Sequence, residues 1–130
     1  MMKKVTPVLI VEAIEPVLPL WEALGFTKTA EVPHGDSLGF VMLQNGAVEL
    51  MYQTFASVRD DEAKVLDGRA IGAAALFIEV ADLEDVMKRL PAELERLAER
   101  RKTFYGATET IVRDAAGNVI TFAEFGADES

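Results

Sequence analysis

The chain has 130 residues, with 13 basic and 22 acidic side chains, a formal net charge of −9, and half of its residues hydrophobic. That length fits one domain, 1–130, with enough apolar surface to bury a core, so disorder is excluded. The absence of cysteine excludes disulfides, thiolate nucleophiles and cysteine zinc sites, and a single histidine, His34, excludes metal centres built on several imidazoles within one chain.

The start Met1-Met2-Lys3-Lys4 is basic, but the apolar run Val5–Val11 holds Thr6 and Pro7 and stops at Glu12, so no signal peptide is read. Val5–Val11 is rich in β-branched residues and suits a strand buried on both faces. Ile14, Val17, Leu18, Trp21 and Leu24 then recur at helical spacing and Gly25 stops them. Pro16 and Pro19 place the regular helix from about Leu18. Phe26–Val32 reads as a strand and Pro33-His34-Gly35-Asp36 as a turn. Leu38–Leu43 and Ala47–Tyr52 flank Asn45-Gly46, a pair suited to the positive φ angles of a type I′ hairpin.

Residues 54–72 read as a linker, with a possible helical turn at Glu62–Leu66. The order then restarts. Ala73–Val80 is a strand, and Asp82 with Asp85 opens a helix whose Leu83, Val86, Met87 and Leu90 share one face. Thr110–Arg113 and Asn118–Phe125 form a hairpin around Asp114-Ala115-Ala116-Gly117. Between them, Pro91–Lys102 has two readings. Leu90, Leu94 and Leu97 favour a second helix by spacing and composition, whereas a repeat of βαβββ needs a strand near Glu93–Ala98 and a loop through Gly106. The repeat is the reading adopted.

Two βαβββ modules (5–53 and 73–126, with the linker 54–72), Leu20-Trp21-Glu22-Ala23-Leu24-Gly25-Phe26, Val48-Glu49-Leu50-Met51-Tyr52, and Phe104-Tyr105-Gly106 with Glu109 ahead of Arg113-Asp114-Ala115-Ala116-Gly117-Asn118 together resemble the vicinal oxygen chelate superfamily. That superfamily includes glyoxalase I, extradiol dioxygenases and bleomycin-resistance proteins. The resemblance implies an α+β fold, an eight-stranded, cup-shaped mixed sheet with helices on its outer face, generally in a homodimer, with a small-molecule ligand in the concave face. Its enzymes hold a divalent metal there with two His and two Glu. The corresponding positions read Thr6, Glu49, Ala75 and Thr121, of which only Glu49 is a metal donor. One carboxylate does not hold an ion that needs several converging donors. A shift of register brings in Glu79 or Glu124 but no histidine. The resemblance is therefore to the metal-free bleomycin-resistance branch, with no cofactor.

Period-two alternation puts Thr6, Val8 and Ile10 on one face, and with Thr6 facing the cup, Glu49, Met51, Ala75, Phe77 and Thr121 face it too. Glu49, between Val48 and Leu50, is either a ligand-facing acid in need of a cation or a solvated strand position. If it lacks a partner, Glu49→Gln leaves the fold as stable or more so. Tyr105 and Glu109 are candidates for the pocket rim, Met51 and Phe77 also fit plain core, and His34 reads as a solvated loop residue. Arg96, Arg100, Arg101 and Lys102 form the basic cluster, read as a solvated strand end or an anion or subunit contact. The expected function is sequestration or carriage of an apolar or cationic molecule. The alternative is a lyase, isomerase or dioxygenase using Glu49 as base or metal ligand. The acidic balance opposes nucleic acid, the apolar run Ala70–Ile78 is shorter than the ~20 residues of a membrane helix, and a cytoplasmic location follows as the expectation.

Overall fold

The computed structural model describes residues 3–66 and 74–126. The chain divides into two compact units, Met1–Gly72 and Ala73–Ser130. In the first, β1 (Val8–Val11), α1 (Leu18–Ala23), β2 (Thr27–His34), β3 (Ser37–Asn45) and β4 (Val48–Thr54) follow one another; in the second, β5 (Ala75–Glu79), α3 (Leu83–Arg89), β6 (Glu95–Lys102), β7 (Ala107–Arg113) and β8 (Val119–Phe125). All eight expected strands are present. They are hydrogen-bonded as two four-stranded sheets, β1-β4-β3-β2 and β5-β8-β7-β6. In each sheet the first strand runs parallel to the fourth and the other neighbours are antiparallel, so the fold is α+β with two βαβββ modules.

In the first unit Leu9, Val11, Val41, Leu43, Leu50 and Tyr52 alternate onto one buried face, and Trp21 of α1 donates its indole hydrogen to the Tyr52 hydroxyl at 2.9 Å. Val8 is exposed, so β1 is buried on one face rather than both. Helix α1 is short because of its prolines. A 3-10 turn, Glu15–Val17, carries Pro16, and the α-helix starts at Leu18 as those prolines predict. It ends in a Schellman motif. Gly25, at φ 92°, donates to Glu22 and Phe26 donates to Trp21, while the Phe26 and Trp21 rings meet edge to face at 5.1 Å.

Two turns differ from expectation. Asn45 pairs with Val48, leaving Gly46-Ala47 as the loop, and of these only Gly46 has positive φ (59°), the pattern of type II′ rather than I′. Asn45 stays in the strand because its amide serves another group, the Leu24 carbonyl at the end of α1 (3.2 Å). Likewise Pro33 and His34 belong to β2, and the turn is Gly35-Asp36. The stretch read as a linker holds helix α2 (Phe55–Glu62) and a 3-10 turn, Ala63–Leu66. Thr54 caps α2 by accepting from the Ser57 amide at 3.1 Å, and Phe55 and Val58 are buried. The rest of that stretch, 67–72, and the expected strand start at Ala73 lie outside the described residues.

In the second unit, Asp82 accepts from the Asp85 amide at 3.1 Å and Glu124 from the Leu83 amide at 2.7 Å, so two of the unpaired donors at the start of α3 are met. Leu83, Met87 and Leu90 bury its inner face and Pro91 ends it. Within Pro91–Lys102 the strand reading holds over Glu95–Lys102, beginning two residues later than expected and running on to Lys102 where a loop was expected. The β7–β8 turn is held from inside. Asp114 accepts from the Ala116 and Asn118 amides (2.9 and 2.7 Å) and from the Asn118 side chain (3.0 Å), while Asn118 Oδ1 accepts from the Ala74 amide at 2.8 Å. Asp114 and Asn118 are both buried, which gives the Arg-Asp-x-x-Gly-Asn motif a structural role at the head of β5.

Candidate functional site

The first sheet's less buried face carries Thr6 from the segment before β1, and Glu49 and Met51 from β4. Met51 lies in register with Val8, on the face that alternation assigns to it. Thr6 Oγ1 donates to Glu49 Oε1 at 2.8 Å, and the Lys4 ammonium lies 2.8 Å from the same oxygen. The Glu49 side chain is only 9% exposed against 66% for Lys4, so the acid sits inside and the cation reaches in from outside. The Lys4 hydrogen bond, and then that of Thr6, holds the Glu49 carboxyl below its ordinary value. The carboxylate thus has its cation within the chain. It is also a weak base, because its proton affinity is lowered.

The second sheet offers a different face. Phe77 is in register with Thr121 and Ala75 with Val119, so Ala75, Phe77 and Thr121 share one side of β5 and β8. Glu109 of β7, in register with Ala123 on that same side, is 1% exposed. Arg101 of β6 holds its Oε1 with Nε at 3.1 Å and Nη2 at 3.0 Å, and the Tyr105 hydroxyl donates to Oε2. That hydrogen bond is the main reason the Tyr105 hydroxyl is raised above its ordinary value, so it stays a donor through the neutral range.

Around this buried polar centre runs a row of rings. Phe104 and Tyr105 are 5.1 Å apart, Tyr105 and Phe125 6.2 Å, Phe125 and Phe77 6.5 Å. Phe77 and Phe104 are 55% and 100% exposed and Tyr105 is 41% exposed. Exposed aromatic surface of this kind has the chemistry of an apolar ligand wall, and the acid beneath it is a group able to fix orientation. Where one acid was expected, the first sheet's face carries Glu49, and the second sheet's carries Glu109 with Glu79 and Glu95 on the same side by register.

The residues do not fit the superfamily's metal. Glu49 is already engaged by an ammonium and a hydroxyl, Thr6 spends its proton on Glu49, and Ala75 has no donor. Among the described residues no three His, Asp or Glu side chains converge. Glu124, a candidate under a shifted register, caps α3 on the opposite face instead.

Of the eight residues singled out from the sequence, the structure joins Thr6 to Glu49 and Tyr105 to Glu109, sets Phe77 beside Thr121, and leaves Met51 and Ala75 as apolar surface of their respective faces. His34 is not solvated alone; its Nε2 lies 2.7 Å from Asp60 Oδ2 on α2. The basic cluster is not a free anion site. Arg100 bonds Glu84, Arg96 and Arg100 face Glu99, and Arg101 holds Glu109. Sequence reading missed Lys4, Arg101 and Phe125 as members of these faces. Lys4 was findable, since it precedes Thr6 by two and so falls on its face.

No family model matches the chain, and no curated protein is significantly similar to it. Solved structures do match. A lactoylglutathione lyase from Agrobacterium tumefaciens superposes with a TM-score of 0.73 at 15% identity, covering 95% of each chain. A glyoxalase/bleomycin resistance protein/dioxygenase family enzyme from Burkholderia phytofirmans PsJN gives 0.71 at 15% identity over 92% of this chain and 95% of its own. A glyoxalase-related enzyme from Fulvimarina pelagi gives 0.69 at 20% identity over 99% and 96%. At such identities the likeness is one of fold. Together with the two βαβββ modules, it establishes that this chain has the fold shared by these glyoxalase/bleomycin resistance protein/dioxygenase structures.

Proposed function

We propose that the protein binds a small molecule without a metal, as a sequestering or carrier protein of the bleomycin-resistance kind. The observation that carries this reading is the row of exposed Phe104, Tyr105 and Phe77 with half-buried Phe125 above a buried carboxylate that is already hydrogen-bonded. Four rings give dispersion and stacking to an apolar ligand, and their π-faces also accept a cation. The enzyme alternative, in which Glu49 acts as base or metal ligand, is weakened by the ion pair with Lys4. A general base works best with its pKa near the operating pH, and Glu49 is moved the other way.

Thermal-shift screening of aromatic and cationic small molecules, run with and without EDTA, tests the proposal. A ligand that binds only the folded state raises Tm by mass action. The expected result is a hit among aromatic compounds whose shift is unchanged by EDTA. Hits confined to samples supplied with a divalent metal would favour the enzyme reading.

A further inference from the structure

Strand β6 contains a device that the proposed function leaves unused. Its ladder with β7 starts regularly, Glu95 opposite Arg113 and Arg96 opposite Val112. Continued without a break, that register sets Glu99 opposite Glu109. Two carboxylates would then face each other across the strands, one of them buried, which is destabilising. The register instead shifts between Arg96 and Ala98 and again between Ala98 and Arg101, so that Arg101 lies opposite Glu109. One extra residue alone sets Arg100 opposite Glu109; the second sets Arg101 there and leaves Arg100 to Glu84.

The second shift has its own support. Arg100 sits at φ 50°, the one positive φ outside glycine among the described residues. Its amide donates to the buried Thr110 hydroxyl at 3.2 Å, and its guanidinium grips Glu84 of α3 at 2.6 and 2.9 Å. Strained backbone held by surrounding bonds is characteristic of functional sites. Here it delivers Arg101 to Glu109.

We propose that Glu109 is the recognition point for a flat, uncharged aromatic ligand bearing a hydrogen-bond donor, a phenol being the simplest, and that Tyr105 is the internal stopper this ligand displaces. This rests on the small-molecule reading above. Arg101 occupies Oε1 and neutralises the carboxylate, which disfavours a cationic ligand at this point. Oε2 is held by a phenol already, that of Tyr105, so an incoming phenol replaces like with like. Tyr105 is free to yield. It lies in the short turn before β7, is 41% exposed, and its ring touches Phe104 and Phe125 only at 5.1 and 6.2 Å centroid separation. The displaced site leaves the ligand's ring beside Phe125 and Phe77.

The test compares 2-naphthol with naphthalene by equilibrium dialysis against the full chain and Tyr105→Phe, with Glu109→Gln as a second variant and circular dichroism to confirm folding. The wild type should prefer 2-naphthol. Tyr105→Phe removes the competitor without removing a ring, so 2-naphthol should bind roughly fivefold to tenfold tighter while naphthalene changes by less than about twofold. Glu109→Gln, where it folds, should erase the preference. Unchanged or weaker 2-naphthol binding by Tyr105→Phe, equal strengthening of both probes, or a preference that survives Glu109→Gln would each overturn the exchange. Equal binding of both probes by the wild type overturns it while the small-molecule reading stands; no binding of either probe to any variant overturns both.

Discussion

Glu49 and Glu109 share a chemistry: each is a little-exposed carboxylate met by a hydroxyl and a basic side chain from its own unit, Thr6 with Lys4 and Tyr105 with Arg101. For Glu49 this reverses an expectation. A carboxylate without a partner gains from neutralisation, so Glu49→Gln would hold or raise Tm; with Lys4 and Thr6 in place, the same change should lower it at neutral pH. The folded carboxyl titrates below its ordinary value of 4.5, so its stabilisation is present above about pH 4.5 and is lost as pH falls through the folded value. The Tm gap between wild type and Glu49→Gln should therefore narrow as the pH is taken progressively below 4.5. A gap that is constant with pH would contradict the ion pair. Lys4→Met should shrink the same gap at neutral pH. Lys4 was legible from alternation alone; Arg101 was not, because an unbroken ladder opposes Glu109 to Glu99 and only two shifts of register bring Arg101 there.

At the scale of elements, β6 shows where composition and fold disagree. Glu95–Lys102 is built of Glu, Arg, Leu and Ala, which prefer helix, yet it pairs with β7. The repeat of modules carried the correct reading because a strand was needed there to complete the second sheet. A peptide of residues 91–102 should show helical circular dichroism in trifluoroethanol, while amide couplings in the whole protein remain extended. Within the strand, Arg100→Val should melt well below Arg100→Gly, because a β-branched residue resists positive φ and glycine accepts it; equal melting would remove the argument for backbone strain. The cap of α3 is simpler. Asp82→Ala loses the bond to the Asp85 amide and should cost about 1 kcal/mol, measured by urea unfolding. Helix α2 escaped notice because its start, Thr54-Phe55-Ala56-Ser57, lacks the Glu or Gln of a capping box, and its eight residues show little apolar periodicity.

For the whole molecule, the order of motifs exposed the fold because each motif does something local and physical. The Schellman end at Gly25-Phe26 stops α1, Gly46 turns a hairpin, and the buried Asp114–Asn118 turn ties β8 to the head of β5. The candidate face was legible only in part. Alternation assigns Phe77, Thr121 and Met51 to their faces, but the ring row also needs Phe104 and Tyr105, which the β6–β7 connection brings beside Phe125. A homodimer is expected from edge strands that offer unpaired backbone groups, and light scattering at micromolar concentration should give twice the mass of 14.2 kDa. Among the described residues no helix is long and apolar enough to cross a membrane.

Binding of a ligand without a metal is tested most directly by the dissociation constant of 2-naphthol, measured on purified protein before and after exhaustive treatment with EDTA. An unchanged constant is expected, since the polar centre joins the side chains of Glu109, Arg101 and Tyr105 directly to one another. Loss of binding on chelation, restored by one equivalent of a divalent metal per chain, would contradict it.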